Sequence, residues 1–410
     1  MYLSSLHLTN FRNYVRLEEH FDPGVVILFG QNAQGKTNLL ESIYYLSTAR
    51  SSQARTERQL IHFDAVADLP YSRVEARVVR ADGPQKVTIT IGIENQNGSG
   101  GSLVKRVELN DRSRKVLDFI GEINVVLFLP EDIDLIASSP SVRRRYLDAT
   151  ICQIDNRYCK DLAEYTRLLA QRNAQLRLMS ERGARDDSGL LDVWDEQLIK
   201  PGAYIILRRQ QVISRLDETA LELHPRLTGE RERLRLVYLP RLELGHLAAH
   251  QLSLPMSRAL LGGPSGQLTL GEVTARFEEQ LQANRREELA RGMTLIGPHR
   301  DDVRFLVENV DMTDFGSRGQ QRSAALTLKL SEVALMREKK KEPPILLLDD
   351  VMSELDESRR AFMTEMLADY PQVFLTTTDL DQFPADFLAR ARLLRVEQGR
   401  LKNYSLPTRS

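Results

Sequence analysis

Cysteine and aromatic residues are scarce in this sequence. Two of its 410 residues are cysteines, and Phe, Trp and Tyr together make up 6%. A chain of this length buries a substantial core without covalent cross-links, so a small disulfide-stapled module is excluded. Cys152 and Cys159 lie seven residues apart, which places them on one helix face but does not provide the ligands of a zinc cluster. We interpret both as packing thiols in a reducing compartment.

Long apolar runs and an excess of one charge are also missing. No stretch of about 18 apolar residues occurs and no signal-peptide pattern opens the sequence, which predicts a cytoplasmic protein without a membrane partner. The 56 basic and 57 acidic residues give a formal charge of −1. A uniformly basic nucleic-acid coat is therefore excluded, and any contact with DNA has to come from local patches.

A glycine-rich loop follows a short apolar run near the N-terminus. The run, 25–29, is typical of a buried parallel strand, and Leu39, Ile43 and Leu46 share one face of a predicted helix after the loop. The loop has the phosphate-binding pattern GxxxxGK[ST] and consists of Gly30, Gln31, Asn32, Ala33, Gln34, Gly35, Lys36 and Thr37. An ordinary strand-to-helix turn is the alternative, but four fixed positions in the expected context favour an ATP site.

Four residues define the chemistry expected of this loop. Gly30 and Gly35 let successive backbone N–H groups point towards phosphate oxygens, and the following helix adds the positive end of its dipole. Lys36 would reach the β- and γ-phosphates as a catalytic residue, and Thr37 would offer its hydroxyl to the metal ion. The expected cofactors are therefore ATP and Mg²⁺.

A second apolar run, 345–348, ends in two aspartates near the C-terminus. It resembles a central strand that delivers Asp349 and Asp350 to its C-terminal edge, where open α/β sheets bind their ligands. Asp349 would hold Mg²⁺ through its water shell, and Asp350 would orient or deprotonate the attacking water as a catalytic residue. Two aspartates after a strand can also simply cap a loop. The phosphate loop favours the metal site, since Mg²⁺ held by Thr37 and phosphates alone would lack its usual acidic partner.

Alternating hydrophobicity predicts strands towards both ends of the chain. In the N-terminal part it predicts an antiparallel, half-exposed sheet with a flexible hairpin tip at 95–101. The predicted N-terminal strands after the loop are 73–80, 86–94 and 103–109. The predicted C-terminal strands are 303–307, 346–350, 373–378 and 392–396.

Helical periodicity in the middle of the chain predicts helices from about residue 132 to residue 223. A Gly/Pro-rich segment at 261–266 predicts a loop before a charged helix at 271–292. No heptad seam is sustained there, so long coiled-coil arms are not expected. The expected fold is α/β, with a mixed sheet formed by N- and C-terminal segments and an inserted, mainly helical lobe. The expected segments are 1–125, 126–300 for the lobe, and 301–410.

A third motif lies before the acidic strand. A serine and a glycine at the start of a helix make an anion site, although the chain already has a phosphate loop. The motif consists of Ser317, Arg318, Gly319 and Gln320. Together with the aspartate pair and residues 353–356, it resembles the signature, Walker B and D-loop motifs of ABC-type ATPases. In that family the signature of one subunit closes on ATP bound by another, which implies a homodimer formed with ATP.

The whole chain resembles the RecF family of bacterial recombination mediators, which are short-armed relatives of SMC heads. Besides the three motifs, the resemblance rests on residues 8–14, 130–132, 135–136, 139–140, 143–148 and 297–302. It implies an ABC-type head in the two terminal segments and a weak, DNA-dependent ATPase used as a switch. It further implies a dimer that clamps DNA during repair of single-strand gaps and stalled replication forks and is released by hydrolysis. The implied partners are single-stranded DNA, gapped duplex, RecR and RecO, with RecA loading as the outcome.

Two positions depart from the family patterns. Ser138 stands where the RecF family usually has Gly, which puts a local turn in question. Asp350 replaces the glutamate that is more usual in ABC ATPases. A shorter carboxylate holds the water less well, which fits slow hydrolysis used as a timer.

Arginines that recur in the helical part are candidates for contacts with DNA phosphates. The candidates that belong to a family motif are Arg143, Arg144 and Arg145. If they share an exposed face they would neutralise phosphates; otherwise they are solvated helix surface or structural ion pairs. His299, inside the sequence Gly-Pro-His-Arg, is a further candidate for a role near DNA or nucleotide.

Two other protein classes share some of these motifs. The nucleotide subunit of an ABC transporter would have a compact helical subdomain and a helix-coupled Gln loop, whereas roughly 280 residues separate Thr37 from Ser317 here. An SMC-type structural protein would need hundreds of heptad residues. Stimulation of the ATPase by DNA, in detergent-free protein, would discriminate among the three classes.

Overall fold

The computed structural model describes residues 1–65, 71–96, 99–181, 189–244 and 268–405. The chain divides into two compact units. Unit 1 comprises Met1–Asp132 and Glu332–Ser410, and unit 2 comprises Ile133–Ser331. Among the residues that the structure describes, no helix is both long and apolar enough to cross a membrane.

Regular elements cover most of the described residues. The strands are β1 (Tyr2–Phe11), β2 (Tyr14–His20), β3 (Gly24–Phe29), β4 (Tyr71–Arg80), β5 (Gly83–Gln96), β6 (Ser99–Leu109), β7 (Arg112–Arg114), β8 (Val125–Phe128), β9 (Leu234–Leu239), β10 (Asp302–Val307), β11 (Val310–Asp311), β12 (Ile345–Asp349), β13 (Gln372–Thr377), β14 (Arg392–Glu397) and β15 (Arg400–Tyr404). The helices are α1 (Lys36–Thr48), α2 (Val116–Phe119), α3 (Asp134–Ala137), α4 (Pro140–Ile154), α5 (Asn156–Glu181), α6 (Leu190–Thr228), α7 (Leu270–Arg291), α8 (Arg318–Lys340), α9 (Glu357–Leu367) and α10 (Ala385–Arg390).

The boundaries of the two units differ from those of the predicted segments 1–125, 126–300 and 301–410. Residues 126–132 lie in unit 1 because β8 pairs in parallel with β12. Residues 301–331 lie in unit 2 because β10 pairs with β9 along its whole length. The motif at Ser317–Gln320 therefore lies in unit 2.

An antiparallel sheet in unit 1 has the strand order β2-β1-β4-β5-β6-β7. Along β4, Val74, Ala76 and Val78 are buried while Arg77 is exposed. This alternation buries one face of the sheet against the core and leaves the other to solvent. The predicted half-exposed antiparallel sheet is confirmed. Residues 97 and 98 of the predicted hairpin tip lie outside the described residues. The loop predicted at 261–266 also lies outside them.

The second sheet of unit 1 is mixed and has the order β15-β14-β3-β13-β12-β8. All neighbours are parallel except β14 and β15. Every residue of β12 is buried, as expected of a central strand covered on both faces. Because β3 and β12 both pair in parallel with β13, their C-terminal ends lie at the same edge of the sheet.

One hydrophobic core joins the two sheets of unit 1 through α1. Leu39, Ile43 and Leu46, the predicted apolar face of this helix, are 0% exposed and belong to the same core as Val74 and Leu347. Burying side chains of this size stabilises the fold by about 1.5–3 kcal/mol each. The packing therefore fixes the N-terminus of α1 next to the end of β3.

Unit 2 is built on long helices, of which α6 has 39 residues and is about 58 Å long at 1.5 Å per residue. The guanidinium of Arg172 on α5 is fully buried and bonds to Asp195 of α6 at 2.6 Å and to Thr294 at 2.8 Å. It lies 2.7 Å from Glu288 of α7. A buried arginine needs such partners, because an unpaired charge in the interior is costly.

The predicted strand at 303–307 and the predicted helix at 271–292 are both present in unit 2. The strand is β10, which forms a small sheet of order β11-β10-β9. The helix is α7, which begins at a capping box between Thr269 and Glu272 and ends at Gly292 with φ 64°. A threonine, an acid three residues later and a terminal glycine are the signals that position helix ends.

Candidate nucleotide-binding site

The glycine-rich loop connects β3 to α1 at the carboxyl edge of the mixed sheet. Gly30 has φ 145°, and a Cβ atom there would approach the carbonyl oxygen of Val396 to 2.7 Å. Gly35 has φ 110°, and a Cβ atom there would lie 2.5 Å from the side chain of Asn13. Backbone conformation and close approach thus both require glycine at these two positions.

Lys36 is the first residue of α1 and its ammonium group lies across the loop. Nζ donates hydrogen bonds to the carbonyl oxygens of Gly30 at 2.6 Å and Gln31 at 2.8 Å. Burial lowers the pKa of Lys36, and the nearby carboxylates of Asp350 and Asp349 oppose this shift. The cation is therefore directed into the loop, beside both aspartates.

Asp349, the last residue of β12, lies against the start of α1. Its Oδ1 accepts hydrogen bonds from the hydroxyls of Thr37 at 3.0 Å and Thr376 at 2.7 Å. Thr376 is its register partner on β13. Burial raises the pKa of Asp349, and the two hydroxyl hydrogen bonds lower it in turn. Residues 312 positions apart in sequence thus meet at one sheet edge.

Asp350 follows at the start of a short 3₁₀ helix, with φ 51° in the left-handed region. Its backbone N–H donates to the hydroxyl of Thr376 at 2.9 Å. Its Oδ1 is buried and has no hydrogen-bond partner among the residues that the structure describes. A buried carboxylate oxygen of this kind is costly unless a ligand or water bonds to it, so its position is typical of a functional site.

The turn between β1 and β2, with the first residue of β2, is hydrogen-bonded to the glycine-rich loop. The side chain of Asn13 donates to the carbonyl oxygen of Gln34 at 3.0 Å and accepts from Asn38 at 2.8 Å. The hydroxyl of Tyr14 donates to the carbonyl oxygen of Gly35 at 2.9 Å. Sequence reasoning noted these residues only within the segment 8–14 and gave them no role.

The turn between β14 and β15 holds the same loop from the other end of the chain. Gln398 N–H donates to the side chain of Gln34 at 2.8 Å, and Gly399 N–H donates to its carbonyl oxygen at 3.0 Å. The carbonyl of Gln34 therefore accepts from both turns. No local sequence signal could have identified this contact, because Gln34 and Gln398 are 364 residues apart in the sequence.

Replacing Asn13 with Asp is expected to weaken ATP binding by about tenfold. The substitution keeps the size of the side chain but sets a carboxylate oxygen against the carbonyl oxygen of Gln34 and adds negative charge beside the phosphate loop. Equilibrium binding of a fluorescent ATP analogue measures the effect. Asn110→Asp, in an exposed turn of the same unit, is the matched control and should bind normally; equal affinities for the two variants would contradict the supporting role of Asn13.

The motif Ser317–Gln320 begins helix α8 in unit 2. The backbone N–H of Gln320 donates to the hydroxyl of Ser317, and the N–H of Ser317 donates to the side-chain oxygen of Gln320, both at 3.2 Å. This reciprocal pair is a capping box. Ser317, Arg318 and Gly319 are exposed, so the positive end of the helix dipole faces solvent.

Three consecutive arginines of α4, proposed for DNA on sequence grounds, have different environments. Arg143 is 5% exposed and forms a two-point ion pair with Asp302 at 2.7 and 2.9 Å. Arg144 is half-buried and donates to the carbonyl oxygen of Asp301 at 2.6 Å. Arg145 is exposed. Of the two alternatives for Arg143, the structure favours the structural ion pair, because Asp302 binds its guanidinium. Contacts of Arg144 and Arg145 with DNA stay a prediction.

Arg143→Ala is expected to destabilise unit 2 by about 3 kcal/mol, because it leaves Asp302 without its ion pair and the carbonyl oxygen of Ser138 without a donor. Arg145→Ala should change the free energy of unfolding by less than about 0.5 kcal/mol, as exposed substitutions do. Urea denaturation of the two variants measures both effects. Equal stabilities would show that the ion pair of Arg143 contributes nothing.

Ser138 and His299 have ordinary structural roles. Ser138 has φ −95°, a conformation open to any residue, so the local turn does not require the glycine usual in the family. His299 bonds to the hydroxyl of Tyr165 at 2.7 Å and to the carbonyl oxygen of Thr294 at 3.1 Å. Burial lowers the pKa of His299 to about 4, which makes the ring neutral at pH 7. These contacts lie inside unit 2 and account for the side chain without a nucleic acid.

The combination of motifs matches known proteins over the full chain. The family model RecF/RecN/SMC N terminal domain matches residues 2–399. The DNA replication and repair protein RecF of Herpetosiphon aurantiacus is 39% identical over 407 residues, which cover 97% of this chain and 99% of that protein. The chain belongs to the RecF family. The RecF protein of Bacillus subtilis is 36% identical and covers 98% of this chain over 100% of its own length.

Solved structures agree with membership of the RecF family. A structure of the recombination mediator protein RecF-ATP in the RecFOR pathway has a TM-score of 0.82 and 30% identity, covering 98% of both chains. An SMC head bound to the C-winged helix domain of ScpA has a TM-score of 0.51 at 14% identity, which shows a shared fold alone. The predicted resemblance to the RecF family and the predicted α/β fold of an ABC-type head, which SMC heads share, are both confirmed.

Proposed function

We propose that this chain is an ATPase of DNA repair that dimerises with ATP, clamps DNA and releases it on hydrolysis. Membership of the RecF family and a neighbour solved with ATP support binding of ATP at Gly30–Thr37. The phosphates would replace the two carbonyl oxygens as partners of Lys36 Nζ. The backbone N–H groups at the start of α1 would bind them as well.

The residues at the sheet edge fit Mg²⁺. Thr37 and Asp349 offer a hydroxyl and a carboxylate oxygen 3.0 Å apart, and hard oxygen donors are the ligands that Mg²⁺ prefers. When bound, Mg²⁺ would neutralise charge that develops on the phosphates. Thr376 would keep Asp349 oriented through its hydroxyl. Asp350, whose buried Oδ1 has no hydrogen-bond partner in the described part of the chain, would position the attacking water and accept its proton.

The proposal of a dimer rests on the exposed start of helix α8 at Ser317. Its hydroxyl, the backbone N–H groups of Arg318 and Gly319 and the helix dipole make an anion site in a different compact unit from the phosphate loop. In the proposed dimer this site closes on the γ-phosphate of ATP bound to the partner. ATP would thereby act as the contact between two copies, and hydrolysis would separate them.

Sedimentation velocity tests the proposed dimer directly. The chain should sediment as a dimer with ATP and Mg²⁺ and as a monomer with ADP. A strictly monomeric result at saturating ATP would exclude the proposal. Gapped duplex DNA should increase the rate of hydrolysis in detergent-free protein, which neither a transporter subunit nor a purely structural SMC protein predicts.

DNA and protein partners follow from the same proposal. The RecFOR pathway named for the solved neighbour supports RecR and RecO as partners, with RecA loading as the outcome and single-stranded or gapped DNA as the substrate. Of the three arginines predicted for DNA, Arg145 alone has an exposed side chain. Loss of affinity for gapped DNA in Arg145→Ala, with a smaller dependence on salt, would support a phosphate contact there.

A further inference from the structure

An acidic side chain outside every recognised motif contacts the signature. Glu232 lies in the turn between α6 and β9, where Gly229 and Glu230 both have positive φ values, 70° and 61°. Its Oε1 accepts a hydrogen bond of 2.8 Å from the side-chain amide nitrogen of Gln320. Residues 88 positions apart are thus joined within unit 2.

Glu232 fixes which way the amide of Gln320 points. A carboxylate only accepts hydrogen bonds, so it binds the NH₂ group of the amide and turns the amide oxygen away from itself. That oxygen accepts the backbone N–H of Ser317 at 3.2 Å. With the amide reversed, two donors would face each other at Ser317 and two acceptors at Glu232. The carboxylate therefore selects the orientation that closes the capping box.

The carboxylate of Glu232 also lies near a buried histidine of α6. His224 Nε2 lies 3.7 Å from its Oε2, and His224 Nδ1 is 2.8 Å from the hydroxyl of Thr327 on α8. His224 and Thr327 are both 0% exposed. The carboxylate therefore lies beside a buried histidine that is hydrogen-bonded to α8, the helix whose first turn Glu232 contacts.

We propose that Glu232 is a positioning residue for the signature, acting through Gln320 on Ser317. The inference rests on the proposed function, because its consequence appears on ATP bound by the partner copy. Loss of the carboxylate frees the amide to rotate and loosens the capping box that holds Ser317, whose hydroxyl would face the γ-phosphate. Nucleotide binding to the variant's own phosphate loop, which lies in unit 1, is unaffected.

Glu232→Ala is expected to weaken the ATP-dependent dimer by about tenfold, the effect of losing one hydrogen bond to a charged group. Affinity for a fluorescent ATP analogue should stay at the wild-type value. Glu232→Gln should recover part of the dimer, since its amide oxygen still accepts from Gln320 but no longer excludes the reversed orientation. Glu222→Ala, an exposed acid of α6, is the matched control and should dimerise normally.

Mixing two variants tests whether Glu232 acts across the dimer. A mixed dimer of Glu232→Ala and Lys36→Ala contains one site built from an intact phosphate loop and an intact signature. The mixture should therefore hydrolyse ATP faster than the sum of the two variants alone. No gain on mixing, or full activity of Glu232→Ala by itself, would overturn the role of Glu232.

A second mixture separates this inference from the proposed function. Ser317→Arg mixed with Lys36→Ala should regain activity in the same way. If this pair also fails to complement, the signature does not act in trans, and both the dimer mechanism and the role of Glu232 are overturned. If it complements while the Glu232 pair does not, only Glu232 is excluded. Thermal unfolding of each variant identifies any that fail to fold, and Glu232→Gln then provides the deciding mixture.

Discussion

Lys36→Ala is expected to reduce ATP affinity by about 1000-fold, which abolishes binding at ordinary concentrations. The ammonium donates two short hydrogen bonds across the loop, at 2.6 and 2.8 Å, and phosphate oxygens would accept both in the complex. Two charge-assisted hydrogen bonds at about 2 kcal/mol each amount to about 4 kcal/mol, or three factors of ten in affinity. Equilibrium binding of a fluorescent ATP analogue measures the loss.

A second lysine of unit 1 provides the control for Lys36. Lys402 lies on β15 and pairs with Glu397 at 2.6 Å on the surface. Lys402→Ala removes one positive charge without touching the loop and should bind ATP normally. If both variants bind ATP with the affinity of the unaltered chain, the glycine-rich loop is not the nucleotide site. Thermal unfolding should show that Lys36→Ala is folded, because the core under α1 consists of Leu39, Ile43 and their neighbours.

Ser317→Arg is expected to eliminate ATP-dependent dimerisation while leaving ATP binding intact. The new side chain would occupy the exposed helix start where the partner's γ-phosphate has to approach within hydrogen-bond distance. It also places a bulky group at a packed interface, and overpacking together with the lost hydroxyl should weaken the dimer by about 1000-fold. Sedimentation velocity with ATP and Mg²⁺ measures the dimer, and the fluorescent analogue measures binding.

Thr166→Arg is the matched control for this change, because Thr166 is an exposed hydroxyl residue on α5. This control variant introduces the same arginine side chain into unit 2 away from α8, and it should dimerise normally with ATP. A dimer that survives in Ser317→Arg would exclude the trans arrangement. Loss of ATP binding in the same variant would instead indicate that the signature contributes to the chain's own nucleotide site.

Local patterns predicted the elements around the nucleotide site with little error. The apolar run 25–29 is β3, the predicted helix face is buried as α1, and the run before Asp349 is the fully buried strand β12. Strand β9 was missed because only the first three residues of its sequence, LRLVYL, alternate between apolar and polar side chains. It follows a long helical stretch, and its role became visible only through pairing with β10.

The sequence could not show which of the three arginines of α4 are accessible. Arg143, Arg144 and Arg145 are adjacent and chemically identical, and spacing alone cannot distinguish them. Because α4 turns by about 100° per residue, each points to different surroundings: one to Asp302, one to the backbone of Asp301, one to solvent. Their availability to DNA depends on residues more than 150 positions away.

The sequence by itself determined the chemistry of this protein, because a phosphate loop and a strand ending in two aspartates are contiguous patterns whose function depends on local backbone geometry. The tertiary structure decided which residues assist them. Asn13, Thr376 and Glu232 contact the motifs through side-chain hydrogen bonds to residues 21, 27 and 88 positions away, and such contacts leave no periodicity or spacing in the sequence. Burial and pairing are properties of the folded chain, and they place the Arg143 side chain in an ion pair of unit 2 and leave the Ser317 side chain exposed.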